Sequence, residues 1–239
     1  MKSVRVFPAV VLCLTACAQF AGFARASVVF DNFGPGDACD TSHGWALAGP
    51  LDTFIVGGEV LGARFTVTGQ DTAFDSAELG LCNLRGANSI DVSLVADGRG
   101  LVSSPSSPAP GVSLETIHLD GAMPTYPTGA TKAQSRTHPL LQSGKSYWLV
   151  ADVNGDGEVA WLWNASHSTG LIAYNFSQGP WMGYRAPVTA PAFRINGATP
   201  ANPVPEPGSL PLLASGGLGL LLRKRRKYNE ACPSPFSSW

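Results

Sequence analysis

The sequence predicts an all-β protein, an antiparallel β-sandwich of jelly-roll-like outline, with a short apolar segment at each end. Three observations carry this. From Ser27 to about Gly197, Gly, Pro, Asn or Asp punctuates the chain every 8–12 residues. The intervals are rich in β-branched and aromatic residues, which suit a pleated, half-buried surface. No window between the two ends shows a helical stripe, and 27 Gly and 19 Pro favour turns over long helices.

Taken in order, the chain opens with Lys2 and Arg5, the apolar run VFPAVVLCLTACAQFAGF and the small-residue site ARA at 24–26. A positive start, an apolar middle and small residues at the cut make a signal peptide over 1–26. LTAC at 14–17 fits a lipoprotein box and offers Cys17 as an alternative cleavage point. The strand intervals then run SVVFDNF, VLGARFTVTG, AFDSAELGLCNL, SIDVSLVAD, VSLETIHLD, SYWLVADV, GEVAWLWN, GLIAYNF and PAFRIN, filling a domain over 27–197. LVSSPSSPAPG at 101–111 reads as an extended loop, and 198–208 as a stiff Pro-rich linker.

One hairpin is expected in detail. SYWLVADVNGDGEVAWLWN has its turn at Asn154–Gly157, where Gly and Asn accept positive φ. Pairing Asn154 with Gly157 sets Trp148 against Trp163, Val150 against Trp161 and Asp152 against Val159. A turn centred on Asn154–Gly155 slides the register by two and keeps the same faces. Either way one face carries Trp148, Trp161 and Trp163, and the other carries Tyr147, Leu149, Ala160 and Leu162. The three tryptophans, with Trp181 and Tyr184 nearby in sequence, form either a glycan-stacking platform or sandwich core.

Charge excludes one function class. Residues 27–207 hold 8 Lys+Arg against 16 Asp+Glu, and such an acidic body repels nucleic acid. Cys39 and Cys82 are the two cysteines left in the body after signal cleavage. In an exported chain they are disulfide candidates, with two buried free thiols as the alternative. No Cys/His ligand spacing appears, and no metal or cofactor is expected. Asp152, Asn154 and Asp156 match the first half of a calcium loop, but its twelfth position is Trp163, and turn chemistry accounts for the residues. His43, His118, His138 and His167 are scattered outside any nucleophile elbow or HExxH pattern. Ser42 beside His43 reads as a loop pair, and no catalytic residue is expected.

The C-terminal end is the most specific feature. Pro205, Glu206 and Pro207 are followed by an apolar run of about 15 residues, where spanning a bilayer core takes about 20. Gly216, Gly217, Gly219 and Pro211 weaken the run further as a helix. Arg223, Lys224, Arg225, Arg226 and Lys227 then form a basic stop that stays cytoplasmic. A short membrane segment over 209–222 pauses in the bilayer without being built to remain there. A plain C-terminal anchor is the alternative.

At these residues the chain resembles exported bacterial proteins that bear a PEP-CTERM sorting signal. The resemblance implies recognition of Pro205–Pro207 by an exosortase, a membrane protease–transpeptidase, with 209–222 as transient membrane stop and 223–239 as basic cluster and tail. YNEACPSPFSSW follows the cluster, where such tails usually end. The body resembles the choice-anchor domains that often precede these tails, of the type with a PGVSL strand (110–114), a YWLV strand and a following tryptophan strand (147–163). Together these imply a non-enzymatic protein delivered to the cell surface or extracellular matrix of a Gram-negative bacterium, with an exopolysaccharide as companion. The alternative is a carbohydrate-binding adhesin or lectin-like module using exposed tryptophans.

Overall fold

The computed structural model describes residues 26–198, apart from 56, 103, 126–129, 177–178 and 184–187. Apart from Ala26 and Ala198, which fall in strands, the expected signal peptide and linker lie outside the described residues, as do the membrane stop, the basic cluster and Tyr184. Among the described residues there are strands and no helix. They are β1 (Ala26–Asp31), β2 (Cys39–Ala48), β3 (Glu59–Thr66), β4 (Thr72–Leu79), β5 (Leu81–Arg85), β6 (Ser89–Leu101), β7 (Ser104–Asp120) and β8 (Thr131–Gln134). There follow β9 (Leu140–Leu141), β10 (Ser146–Val153), β11 (Glu158–Asn164), β12 (Thr169–Gly170), β13 (Ile172–Phe176), β14 (Met182–Gly183), β15 (Val188–Thr189) and β16 (Phe193–Ala198).

All pairings are antiparallel. One sheet runs β1-β16-β4-β8, with β9 also on β4. A larger one runs β5-β11-β2-β3-β10-β6-β7, with β13 on the other side of β3. The larger sheet is thin at its middle, since β2 and β3 share one register pair, Ala48↔Glu59. Its β13-β3-β10-β6-β7 part forms one layer. The β5-β11-β2 part continues the smaller sheet, because Gly80 joins β4 to β5 and bonds to both Ala192 and Leu162. The arrangement is sandwich-like: one apolar cluster takes Leu61, Phe65, Leu94 and Leu149 from the first layer and Phe74, Leu79, Trp161, Phe193 and Ile195 from the second.

Period-two alternation gives the first layer a second buried face. Leu61, Leu94 and Leu149 point into the main core, while Val60, Val95, Trp148, Val150 and Ala173 form a separate cluster on the opposite face. The far half of the β6–β7 hairpin supplies its cover, through Leu101 and Ala109. Gly62 lies beneath it; a Cβ there would sit 3.3 Å from the Pro110 ring and from Val150.

Four expectations are corrected. First, β10 and β11 do not pair with each other. The turn exists, with Gly157 N–H donating to the Asn154 carbonyl and Gly155 at φ 66°. Beyond it the chain changes partners: β10 pairs with β3 and β6, and β11 pairs with β2 and β5. Trp148 therefore lies opposite Arg64 and Val95, and Trp161 opposite Trp45 and Leu81. Second, the three tryptophans do not share a face. Trp148 and Trp161 are each 0% exposed and sit in different apolar clusters, while Trp163 is half-buried. Third, Cys39 and Cys82 are free thiols. They lie on β2 and β5, the two strands that flank β11. Burial pushes both thiols up from their ordinary value. Fourth, residues 101–111 are not a loop but largely the tip and return of the β6–β7 hairpin.

Candidate functional site

The second face of the β13-β3-β10-β6-β7 layer holds a cleft, and its walls can be read from register. Strand pairing sets His118, Asp91 and Asp152 in one row across β7, β6 and β10. The next row places Thr116, Ser93, Val150, Gly62 and Ala173 side by side across all five strands. A third row runs Ser113, Val95, Trp148 and Arg64. Asn175 on β13 lies opposite Val60 on β3. The cleft so formed has a volume of about 340 Å³. Val60, Val95 and Val150 give it apolar surface, Pro110 and Trp181 close it, and Asp91, Asp152, Ser93, Thr116 and Asn175 supply polar groups.

Asp91 and Asp152 are direct cross-strand neighbours, and no Lys or Arg lines the cleft among the described residues. The basic side chain nearest in register is His118, whose Nδ1 is 2.7 Å from Asp91 Oδ1 at the exposed edge. Ser93 and Thr116 share a hydroxyl hydrogen bond of 2.8 Å. Asn175 is 6% exposed, and its Oδ1 is buried without a hydrogen-bond partner. Such orphaned acceptors are rare in folded proteins.

One end of this face is fixed by Asp97. Its Oδ1 accepts from Trp148 Nε1 at 2.8 Å, and Arg64 donates to both oxygens at 2.9 and 2.8 Å. Burial raises the Asp97 carboxyl, but Arg64 and Trp148 together hold it below the usual carboxylate range. The segment carrying Trp181 is tied to the hairpin tip, where Val102 N–H donates to the Trp181 carbonyl at 2.9 Å. We expect Asp97→Ala to cost about 2–3 kcal/mol, because it leaves a buried indole N–H without an acceptor and Arg64 without its fork partner. Urea unfolding followed by Trp fluorescence measures this.

A second polar cluster lies where β2 meets the end of β11. His43 Nδ1 is 2.8 Å and His167 Nε2 3.2 Å from the same oxygen of Asp40. His43 stacks on Trp163 with ring centroids 5.1 Å apart. The Ser42 N–H, against the opposing pull of burial and with help from both histidines, holds Asp40 below its ordinary value. Ser42 thus contributes a backbone donor to the Asp40 side chain, and it and His43 lie in β2 rather than in the loop expected for them. His138 is spent differently, its Nδ1 lying 3.1 Å from the Phe74 carbonyl.

The sequence-singled residues are thus dispersed. Asp152 faces the cleft, whereas Asp156 caps the Ala87 N–H at 3.0 Å and Asn154 reaches Ser89 at 3.5 Å. Trp148 floors the cluster behind the cleft, Trp161 is in the main core, and Trp163 lies under His43. Sequence reasoning missed Asn175, Asp91 and Ser93. One signal was present: in SIDVSLVAD the apolar Ile90, Val92 and Leu94 alternate with Asp91 and Ser93, so polar groups must share the opposite face.

Residues 203–226 match the family described as the PEP-CTERM protein-sorting motif. The match takes in Pro205, Glu206, Pro207, the apolar run and the basic residues through Arg226. No curated protein matches the chain. The chain carries a PEP-CTERM sorting motif, which marks an exported, membrane-processed protein of the kind handled by an exosortase.

Proposed function

We propose that this chain is a non-enzymatic protein of the cell surface or extracellular matrix of a Gram-negative bacterium, delivered there after an exosortase processes its tail. The observation that carries the reading is the match over 203–226, which joins Pro-Glu-Pro, a short apolar run and a basic cluster. As a helix, 209–222 would reach about 21 Å, short of a hydrocarbon core of about 30 Å. The arginine–lysine cluster resists translocation and leaves the tripeptide outside. A segment so placed is held long enough to be cut. The β-rich body fits a choice-anchor-like domain that acts by being displayed.

A non-enzymatic role is supported by how several acidic groups of the body are used. Asp97 holds Trp148 and Arg64, Asp40 holds the Ser42 turn, and Glu115 holds a turn at 135–137. Replacing Glu206 by Ala is expected to leave the full-length protein in the membrane fraction. Intact-mass spectrometry of membrane and secreted fractions checks this. A mature C-terminus identical to that of the unaltered chain would refute the motif's role.

A second reading, a carbohydrate-binding module, loses its three-tryptophan platform because Trp148 and Trp161 are enclosed. One observation still favours it: the cleft beside Trp181 with an unsatisfied acceptor at Asn175.

A further inference from the structure

We infer that Asn154–Gly155 is a self-modifying site: the backbone nitrogen of Gly155 closes onto the Asn154 side chain, expels ammonia, and leaves aspartate or isoaspartate in the turn between β10 and β11. The inference is independent of the sorting tail and of the cleft.

The described residues contain two Asn-Gly pairs, Asn154–Gly155 and Asn196–Gly197. A glycine nitrogen is the least shielded backbone nucleophile, because no side chain stands beside it. Sequence gives both pairs the same reactivity, and the structure separates them. Ring closure needs a nitrogen free to give up its proton, a peptide plane able to turn, and room beside it.

Asn154–Gly155 meets all three. The Gly155 N–H has no acceptor among the described residues. The Asn154 carbonyl, in the same peptide plane, accepts from the Gly157 N–H at 3.4 Å, longer than the usual range of about 2.7–3.2 Å. The side-chain amide reaches Ser89 Oγ at 3.5 Å, and both residues of the pair are half-buried, within reach of water. Beside Gly155 the space is open, with the Ala87 methyl 3.5 Å from where a Cβ would stand. Asn196–Gly197 meets none. It lies in β16 between β1 and β4, with Gly197 opposite Ser27 and Phe74, so its peptide plane cannot turn without breaking the ladder. Asn196 Nδ2 donates to Ser76 Oγ at 3.2 Å and to Glu78 Oε1 at 3.1 Å. A Cβ at Gly197 would collide with the Thr72 side chain and stand 2.8 Å from Val29 Cγ2.

The chemistry needs only water and hydroxide. Hydroxide takes the Gly155 N–H proton, and the nitrogen attacks Asn154 Cγ. The new C–N bond forms as the Cγ–Nδ2 bond breaks, and the departing nitrogen takes a proton from water and leaves as ammonia, which restores the hydroxide. Water then opens the five-membered imide. Attack at Cγ gives aspartate, and attack at the backbone carbonyl gives isoaspartate, whose chain runs through the side-chain carbon and is one atom longer.

The test incubates the folded full chain in mildly alkaline buffer and digests samples over time, with a zero-time sample as background. Tandem mass spectrometry places the mass gain of an amide turned to an acid, and electron-transfer fragmentation separates aspartate from isoaspartate. Conversion at residue 154 is expected at least about tenfold faster than at residue 196, with isoaspartate among the products. In urea the two pairs should convert at similar rates, since each asparagine precedes a glycine. No conversion at residue 154, equal rates at the two sites in the folded chain, the same difference persisting in urea, or aspartate as the sole product would each overturn the assignment. The measurement uses the unaltered chain, so no variant has to fold.

Discussion

Replacing Trp161 by alanine should lower the unfolding free energy by about 3–5 kcal/mol, the cost of removing a large buried aromatic side chain. Trp161 is 0% exposed and sits in the middle of β11, between Trp45 on β2 and Leu81 on β5. Its ring meets Phe193 edge-on at 6.0 Å, and its Nε1 donates to the Ala192 carbonyl at 2.9 Å. The hydrogen bond is the smaller part of the loss, because the Gly80 N–H still satisfies that carbonyl. Lost volume dominates, since the flanking strands are fixed by their own ladders and cannot collapse into the gap. Against a typical total of about 5–15 kcal/mol this is a large fraction. Denaturant unfolding followed by circular dichroism gives the difference directly. Trp163→Ala should cost no more than about 1–2 kcal/mol, as expected for a half-buried ring whose site solvent can refill. Equal losses at the two positions would contradict their different burial.

Glu115→Gln should cost about 2–3 kcal/mol at neutral pH, and the difference should shrink in acid. Glu115 is 8% exposed on β7. Its Oε2 accepts from the Ser135 hydroxyl at 2.6 Å, and its Oε1 accepts from the N–H groups of Arg136 and Thr137 at 2.6 and 3.0 Å. Ser135 in turn accepts from the His138 N–H at 2.9 Å, so one carboxylate orders the whole turn between β8 and β9. Burial pushes this carboxyl up, but the Ser135 hydroxyl and the two N–H groups outweigh it and hold it below the ordinary glutamate value of 4.5. With the folded value depressed, the unfolded chain takes up protons first as pH falls. The stabilisation is complete above about pH 5 and is lost as pH drops through 4.5 toward the folded value. Unfolding of both proteins between pH 7 and pH 3 reads this out. A difference that stays constant across the range would show that the charge is not what holds the turn.

Fold class was legible because it depends on local signals. Turn residues and β-branched runs mark strands whatever their partners. Partner choice is not local, and the misread hairpin shows why. Asn154-Gly155-Asp156-Gly157 makes the same turn whether the flanking strands pair or diverge. Here β3 and β6 claim one and β2 and β5 the other. β2 itself escaped notice because its first half, CDTSHG, is largely exposed and lacks alternation, and it becomes a strand only against β11. Pro105, Pro108 and Pro110 argued against a strand at 101–111. They are tolerated because β7 closes the edge of its sheet, where one row of N–H groups has no neighbour to serve. The cleft was the least legible feature, since Asp91, Asp152, Asn175 and Trp181 span ninety residues and meet through register alone. The sorting motif is the reverse case, readable because its three parts are contiguous.

The pairing of β1 with β16 sets Ala26 directly opposite Ala198. The body thus begins and finishes at one spot, like the two sides of a closed zip. Tension between those points would open the seam tooth by tooth rather than shear it, the mechanically weaker mode. The same closeness means a short bridge could join the two and new ends be cut elsewhere, giving a permuted body with its architecture intact.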